Sequence, residues 1–181
     1  MREKGVQSIT LRSVAKRADA PLATVHYCFE NKEALIGAAV VRWLANMVSY
    51  AANIPTSSGF GEAVQAFAEL YWEELERTPE DVLAQIELVL WAARSEEFEH
   101  LRPLIYTGYE EELASLFETA LASERPADDF DGKNFVRMLL SIFDGCSLQY
   151  LLQPDLDVHK RNFFSLIRSV VAGVTDGGAR V

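Results

Sequence analysis

Apolar residues recur along this chain at three- and four-residue spacing and almost never alternate with polar ones. That periodicity belongs to amphipathic helices, and it predicts an all-α protein of about nine helical segments. A short remnant at Met1–Lys4 should stop at Gly5. Helices then follow over Thr10–Ala18 and Pro21–Phe29, and a long one capped by Asn31 runs through Asn53. Pro55–Gly59 reads as a loop before a helix over Gly61–Arg77. Thr78, Pro79, Glu80 and Asp81 make a start signal, with a cap, a proline in the first turn and acids against the dipole. That helix should reach Arg94. A charged joint at Ser95–Arg102 leads to one helix from Pro103 to Ser123 and a loop at Arg125–Asp129. The last two helices span Phe130–Gln153, stopped by Pro154, and Asp157–Val174, before Gly177 and Gly178.

Charge changes the picture of the two ends. The net charge is −10, yet residues 1–48 carry +3 and the remainder −13. A basic head on an acidic body fits a phosphate-binding module joined to a part that avoids nucleic acid. No run of eighteen apolar residues and no basic-then-apolar leader is seen, so the chain is expected to be cytoplasmic with no membrane partner. Cys28 and Cys146 are expected as reduced thiols, and the scattered His and Cys give no metal-ligand spacing.

The basic head holds the candidate chemistry. Leu11, Val14, Ala15 and Ala18 share one face of the first full helix. Asp19-Ala20 breaks it, and Asp tolerates the left-handed turn better than most residues. In the next helix Val25, Cys28 and Phe29 are expected inward, with Ala15 at the crossing. Two short helices, a tight turn and a small residue at the crossing describe a helix-turn-helix. The outward face then carries Leu22, Ala23, Thr24, His26 and Tyr27, the positions that would meet a major groove. Lys32, at the start of the long helix, can pair with a phosphate. A helical hairpin packed on a neighbour is the plainer reading of the same pattern.

The stretch resembles the TetR family of bacterial transcription regulators. Gly5, Thr10, Arg12, Val14, Ala15, Ala18, Thr24, Val25, Phe29, Asn31, Lys32, Glu33 and Leu35 stand at the family's motif places. The segment Phe143–Asp155 also looks like the family's penultimate helix. Asp19, Pro21, Leu22, Ala23, His26 and Cys28 depart from the usual motif residues. Family members carry an amphipathic first helix before the position of Gly5, and here it is expected to be largely missing. The resemblance implies a DNA-binding domain over residues 1–48, with contacts from Thr10, Arg12, Leu22, Ala23, Thr24, His26, Tyr27 and Lys32. It implies a ligand-binding and dimerisation domain over residues 49–181.

The body is compatible with that assignment. The helix ending at Arg94 is apolar on nearly every side and should be central and buried. Gln85 and Glu87 then need partners, and Glu87 suits a cationic or hydroxylated ligand, or else an ion pair with Arg94. Tyr71, Trp91, Tyr106 and Phe143 are the expected aromatic walls of a small-molecule pocket. The last two helices are apolar on two faces, which suggests a two-fold four-helix seam using Cys146, Tyr150, Leu166 and Val170.

An enzyme has little support. One Glu97-x-x-His100 pair is found where a di-iron bundle needs two, and no phosphate loop or nucleophile elbow appears. The acidic clusters Glu73-Glu74-Glu76 and Glu110–Glu112 read as solvated faces. The expected protein is a homodimeric repressor without a cofactor. It binds a palindromic double-stranded operator and is released by a small, largely apolar effector. The alternative is a helical ligand-binding protein whose shortened N-terminus no longer supports DNA binding.

Overall fold

The computed structural model describes residues 8–99, 102–108, 110–122, 124, 130–153 and 156–175. The expected elements at Met1–Lys4, Gly5, Arg125–Asp129, Pro154 and the Gly177-Gly178 tail lie outside the described residues. No strand occurs among the described residues. The helices are α1 (Leu11–Arg17), α2 (Leu22–Cys28), α3 (Lys32–Ala51), α4 (Phe60–Arg77), α5 (Pro79–Arg94), α6 (Arg102–Thr107), α7 (Glu110–Ala122), α8 (Gly132–Leu152) and α9 (Leu156–Thr175). Short 3-10 turns at Thr56–Ser58 and Glu96–Phe98 fill the expected loop and charged joint.

The chain forms two compact units. One takes in α1, α2, α3 up to Asn46, and the segment Glu80–Gly108; the other takes in Met47–Pro79 and everything from α7 onward. In the first unit, Ile36, Val40 and Leu44 of α3 are buried at four-residue spacing. Its start is capped as expected, the Asn31 Oδ1 accepting from the Ala34 amide at 2.8 Å.

The second unit is an aromatic bundle. Phe60, Phe67 and Trp72 of α4 meet Phe117 of α7, Phe135 and Phe143 of α8 and Phe163 of α9 through ring contacts at 4.9–6.3 Å. Edge-on and offset pairs of this kind add to the burial each ring contributes. Gly59, at φ 108, makes the turn into α4, where a side chain would be strained. The first amide of α4, from Phe60, donates to Glu124 Oε1 at 2.6 Å. Helix α8 is long and apolar enough to cross a membrane by length and composition. Its apolar face is buried against α7 and α9 in the bundle.

Four expectations need correction. The helix expected over Pro103–Ser123 is two, α6 and α7. Gly108 falls between them, and the three acids Glu110–Glu112 suit the positive start of a new helix. Those acids are not all solvated. Glu110 is 5% exposed and pairs with Arg137, whose Nε lies 2.6 Å and Nη2 3.2 Å from its carboxylate. Burial of a carboxylate needs such a two-pronged partner. In the other cluster, Glu76 accepts from Trp72 Nε1 at 2.7 Å and from Lys160 Nζ at 3.0 Å. Helix α5 is not buried all round: Val82, Ala84, Leu88 and Ala92 are, while Leu83 and Leu90 are 44% and 52% exposed. A helix apolar on every side buries only the faces its neighbours cover.

Candidate nucleic-acid interface and effector site

The head is assembled by short-range rules. Thr10 is the N-cap of α1: its hydroxyl accepts from the Ser13 amide at 3.0 Å, and Ser13 Oγ accepts from the Thr10 amide at 3.0 Å. This reciprocal box satisfies amides that the first turn leaves over. At the other end Asp19 takes φ 48, and the Ala20 amide reaches back to the Ala15 carbonyl at 3.0 Å. That six-to-one bond with a left-handed residue is a Schellman stop. The turn therefore forms on Asp19, as its tolerance of that conformation predicts. Pro21 begins α2 without a side-chain cap, its carbonyl accepting from the Thr24 amide at 2.9 Å.

Helices α1 and α2 pack against each other, with Ala15 and Val25 as their buried residues. Leu11, Val14 and Phe29 are half-buried. Cys28, expected inward, is exposed, and so is Ala18. A seven-residue helix crossing at small residues covers only a narrow stripe, and Cys28 at the last position falls off it. On the outward side Ala23, Thr24, His26 and Tyr27 are all exposed, Tyr27 at 90%, and Leu22 is half-buried. Arg12, Lys16 and Arg17 are exposed on α1, the last two where a cation suits the helix end. The outward face thus offers hydroxyl, imidazole and phenol groups beside guanidinium and ammonium charges, a set suited to base edges and phosphates.

Lys32, the first residue of α3, is half-buried, and its Nζ lies 5.6 Å from the centroid of the Trp91 ring. Trp91 in turn meets Phe98 at 4.4 Å with the planes tilted 60°. The residues expected at an effector pocket divide between the units. Glu87, Trp91 and Tyr106 belong to the first, and Tyr71 and Phe143 to the second. Among the described residues Glu87 is half-buried and has neither ion-pair nor hydrogen-bond partner, Arg94 included. Tyr106 is 40% exposed. Tyr71 stacks on Phe143 at 4.3 Å, and its hydroxyl lies 2.6 Å from Ser147 Oγ. Ser147 Oγ donates to the Phe143 carbonyl at 2.7 Å, so its single proton is spent and Tyr71 donates to Ser147. Ser147 was not singled out by the sequence. Its only signal was a hydroxyl four residues after Phe143 in an apolar helix.

Cys146 and Tyr150 are each 8% exposed within the chain, Tyr150 edge-on to Trp72 at 5.6 Å. Burial pushes the Cys146 thiol pKa up, and both cysteines are free thiols. Leu148, Leu152 and Leu166 are exposed, and Val170 is half-buried. Among the described residues no three His, Cys, Asp or Glu side chains gather as metal donors. The side chains of Glu97 and His100 lie outside the described residues.

Comparison with known proteins agrees with this architecture. Residues 61–177 match the family model of the BetI-type transcriptional repressor C-terminal domain. The chain is 36% identical over 164 residues to the nicotine-responsive transcriptional repressor HdnoR of Paenarthrobacter nicotinovorans, covering 88% of this chain and 82% of that one. The crystal structure of the putative transcriptional regulator from Pseudomonas aeruginosa PAO1 superposes with a TM-score of 0.71. It is 20% identical and covers 97% of this chain and 85% of its own, a likeness that shows the fold. With its helix-turn-helix in α1–α2 and its BetI-type C-terminal domain, the chain belongs to the TetR family of transcriptional regulators, as a transcriptional repressor.

Proposed function

We propose that this repressor binds a palindromic operator as a homodimer and releases it when a small, largely apolar effector binds. The observation that carries the reading is the outward face of α2. Thr24, His26 and Tyr27 stand exposed on a helix whose buried contact is confined to Val25. Presented to a major groove, Thr24 meets bases, His26 and Tyr27 meet phosphate and sugar, and Leu22 and Ala23 meet thymine methyls. Thr10, Arg12 and Lys32 anchor the phosphates on either side.

Two-fold pairing follows from the operator's own symmetry, with half-sites about 34–36 Å apart. The seam uses Cys146 and Tyr150 of α8 with Leu166 and Val170 of α9, and the exposed Leu148 and Leu152 of α8 add apolar surface that a second copy would cover. Residues 1–48 serve DNA and residues 49–181 serve effector and dimer, in a cytoplasmic protein with no catalytic role, no cofactor and no membrane partner. Candidate effector contacts are Glu87, Trp91 and Tyr106 in the first unit and, separately, Tyr71 and Phe143 in the second. Because HdnoR is nicotine-responsive, nitrogen-containing apolar compounds are the first class to screen, and the half-buried Glu87 carboxylate suits a protonated amine.

The test is a gel shift on duplex DNA from upstream of the chain's own gene, over a salt series and with nicotine added. Site-specific binding that weakens steeply with salt and is relieved by the compound supports the reading. Binding absent even at low salt sinks the DNA-binding part. An effector that binds tightly, seen by thermal shift, yet leaves operator affinity unchanged sinks the coupling.

A further inference from the structure

Lys32 and Trp91 lie far apart in sequence, yet each is anchored locally where they meet. Lys32 opens α3, whose first turn is pinned by the Asn31 cap at 2.8 Å. Trp91 sits near the end of α5, with its ring backed by Phe98, which is 1% exposed. The turn that carries Phe98 is itself tied down. Arg102 donates from Nε to the Ala92 carbonyl and from Nη2 to the Ser95 carbonyl, both at 2.9 Å. Leftover carbonyls at a helix end are the natural target of such a guanidinium. The indole is thus held beside a buried ring and a fixed turn. The 5.6 Å from Nζ to its centroid is within cation–π reach.

We propose that Trp91 is a positioning residue for DNA binding, its indole face holding the Lys32 ammonium at the head of α3, from where it meets an operator phosphate. This rests on the reading of the head as a DNA interface. A lysine stem loses rotamer freedom when its ammonium settles on a phosphate, and a ring that already orders it lowers that cost. The ring attracts the ammonium without cancelling its charge, so the phosphate can still bind it. Trp91 also stands one helical turn beyond Glu87 on α5.

A double-mutant cycle on the full chain tests this. Affinity for the upstream duplex is measured by fluorescence anisotropy over a salt series for the wild type, Trp91→Leu, Lys32→Gln and the combined variant. Lys32→Gln should lower the slope of log K against log salt by about one per head. Trp91→Leu should weaken binding about two- to five-fold per head when Lys32 is present, and cause no measurable loss in the Lys32→Gln background. Trp91→Phe, a weaker cation–π face of similar shape, should fall between and guards against a Trp91→Leu chain that fails to fold. Equal losses in both backgrounds would overturn the proposal and leave Trp91 a packing residue. No loss at all from Trp91→Leu would overturn it too. A wild-type chain that binds no duplex removes the DNA-binding reading and the proposal together. A wild-type chain that binds, with an additive cycle, removes the proposal alone.

Discussion

The helix pair α1–α2 and the bundle of α4, α7, α8 and α9 solve opposite problems. Where α1 and α2 meet, the buried residues are Ala15 and Val25. The bundle is closed by Phe60, Phe67, Trp72, Phe117, Phe135, Phe143 and Phe163, each no more than 3% exposed. Burying one large aromatic side chain contributes about 2–3 kcal/mol, whereas an alanine contributes little. The bundle therefore draws its order from side-chain volume. The head draws its order from caps and a turn, and small side chains at the crossing leave the opposite face free for Thr24, His26 and Tyr27. The outward face of α2 stays exposed because so little of the helix is used for packing.

The largest test of this contrast is a pair of truncations. Phe163→Ala should cost about 3–5 kcal/mol in denaturant unfolding, and Val25→Ala about 1–2 kcal/mol. A Val25→Ala loss as large as that of Phe163→Ala would mean that the head also relies on volume. Next comes the cap. Thr10→Ala removes the hydroxyl that satisfies the Ser13 amide and should cost about 1 kcal/mol. Hydrogen exchange would place that loss in α1 amides and leave the bundle protected. Asp19→Gly acts in the other direction. At φ 48 a glycine relieves left-handed strain, so the head should gain up to about 1 kcal/mol, read as a higher melting temperature.

The smallest effect is a pH dependence in the bundle. Burial pushes the Glu76 pKa up, but hydrogen bonds from Lys160 and Trp72 and the Lys160 charge outweigh it, so the net shift is downward. A carboxylate with a depressed folded pKa stabilises above its unfolded pKa, and that contribution is lost as pH falls through the folded value. Lys160→Met should therefore lower stability at neutral pH by less than about 1 kcal/mol, because Lys160 is largely exposed. The difference from wild type should shrink in urea titrations near pH 3. A constant difference across that range would show that Lys160 acts through packing instead.

Much of this was legible in the residues alone. The helix-turn-helix, the Asn31 cap and the Asp19 turn depend on neighbours within a few positions, and the structure reproduces them. The motif residues from Thr10 to Leu35 led to the TetR family, which the relatives bear out. The period places Cys28 inward, but it does not say how wide a stripe a short helix buries, and Cys28 is exposed. The periodicity runs through α6 and α7 as one helix because a single glycine is a weak break in sequence. The burial of Glu110 is not legible in sequence because its partner Arg137 comes from another helix.

The sequence by itself determined the helical class, most element boundaries and the polar face of α2, since periodicity and capping are short-range. Only the tertiary structure decided that Lys32 lies over Trp91, that Tyr71 bonds to Ser147 and that Glu110 is buried on Arg137. Each of those pairs joins separate elements, and no spacing along a chain encodes which side chains meet when helices pack.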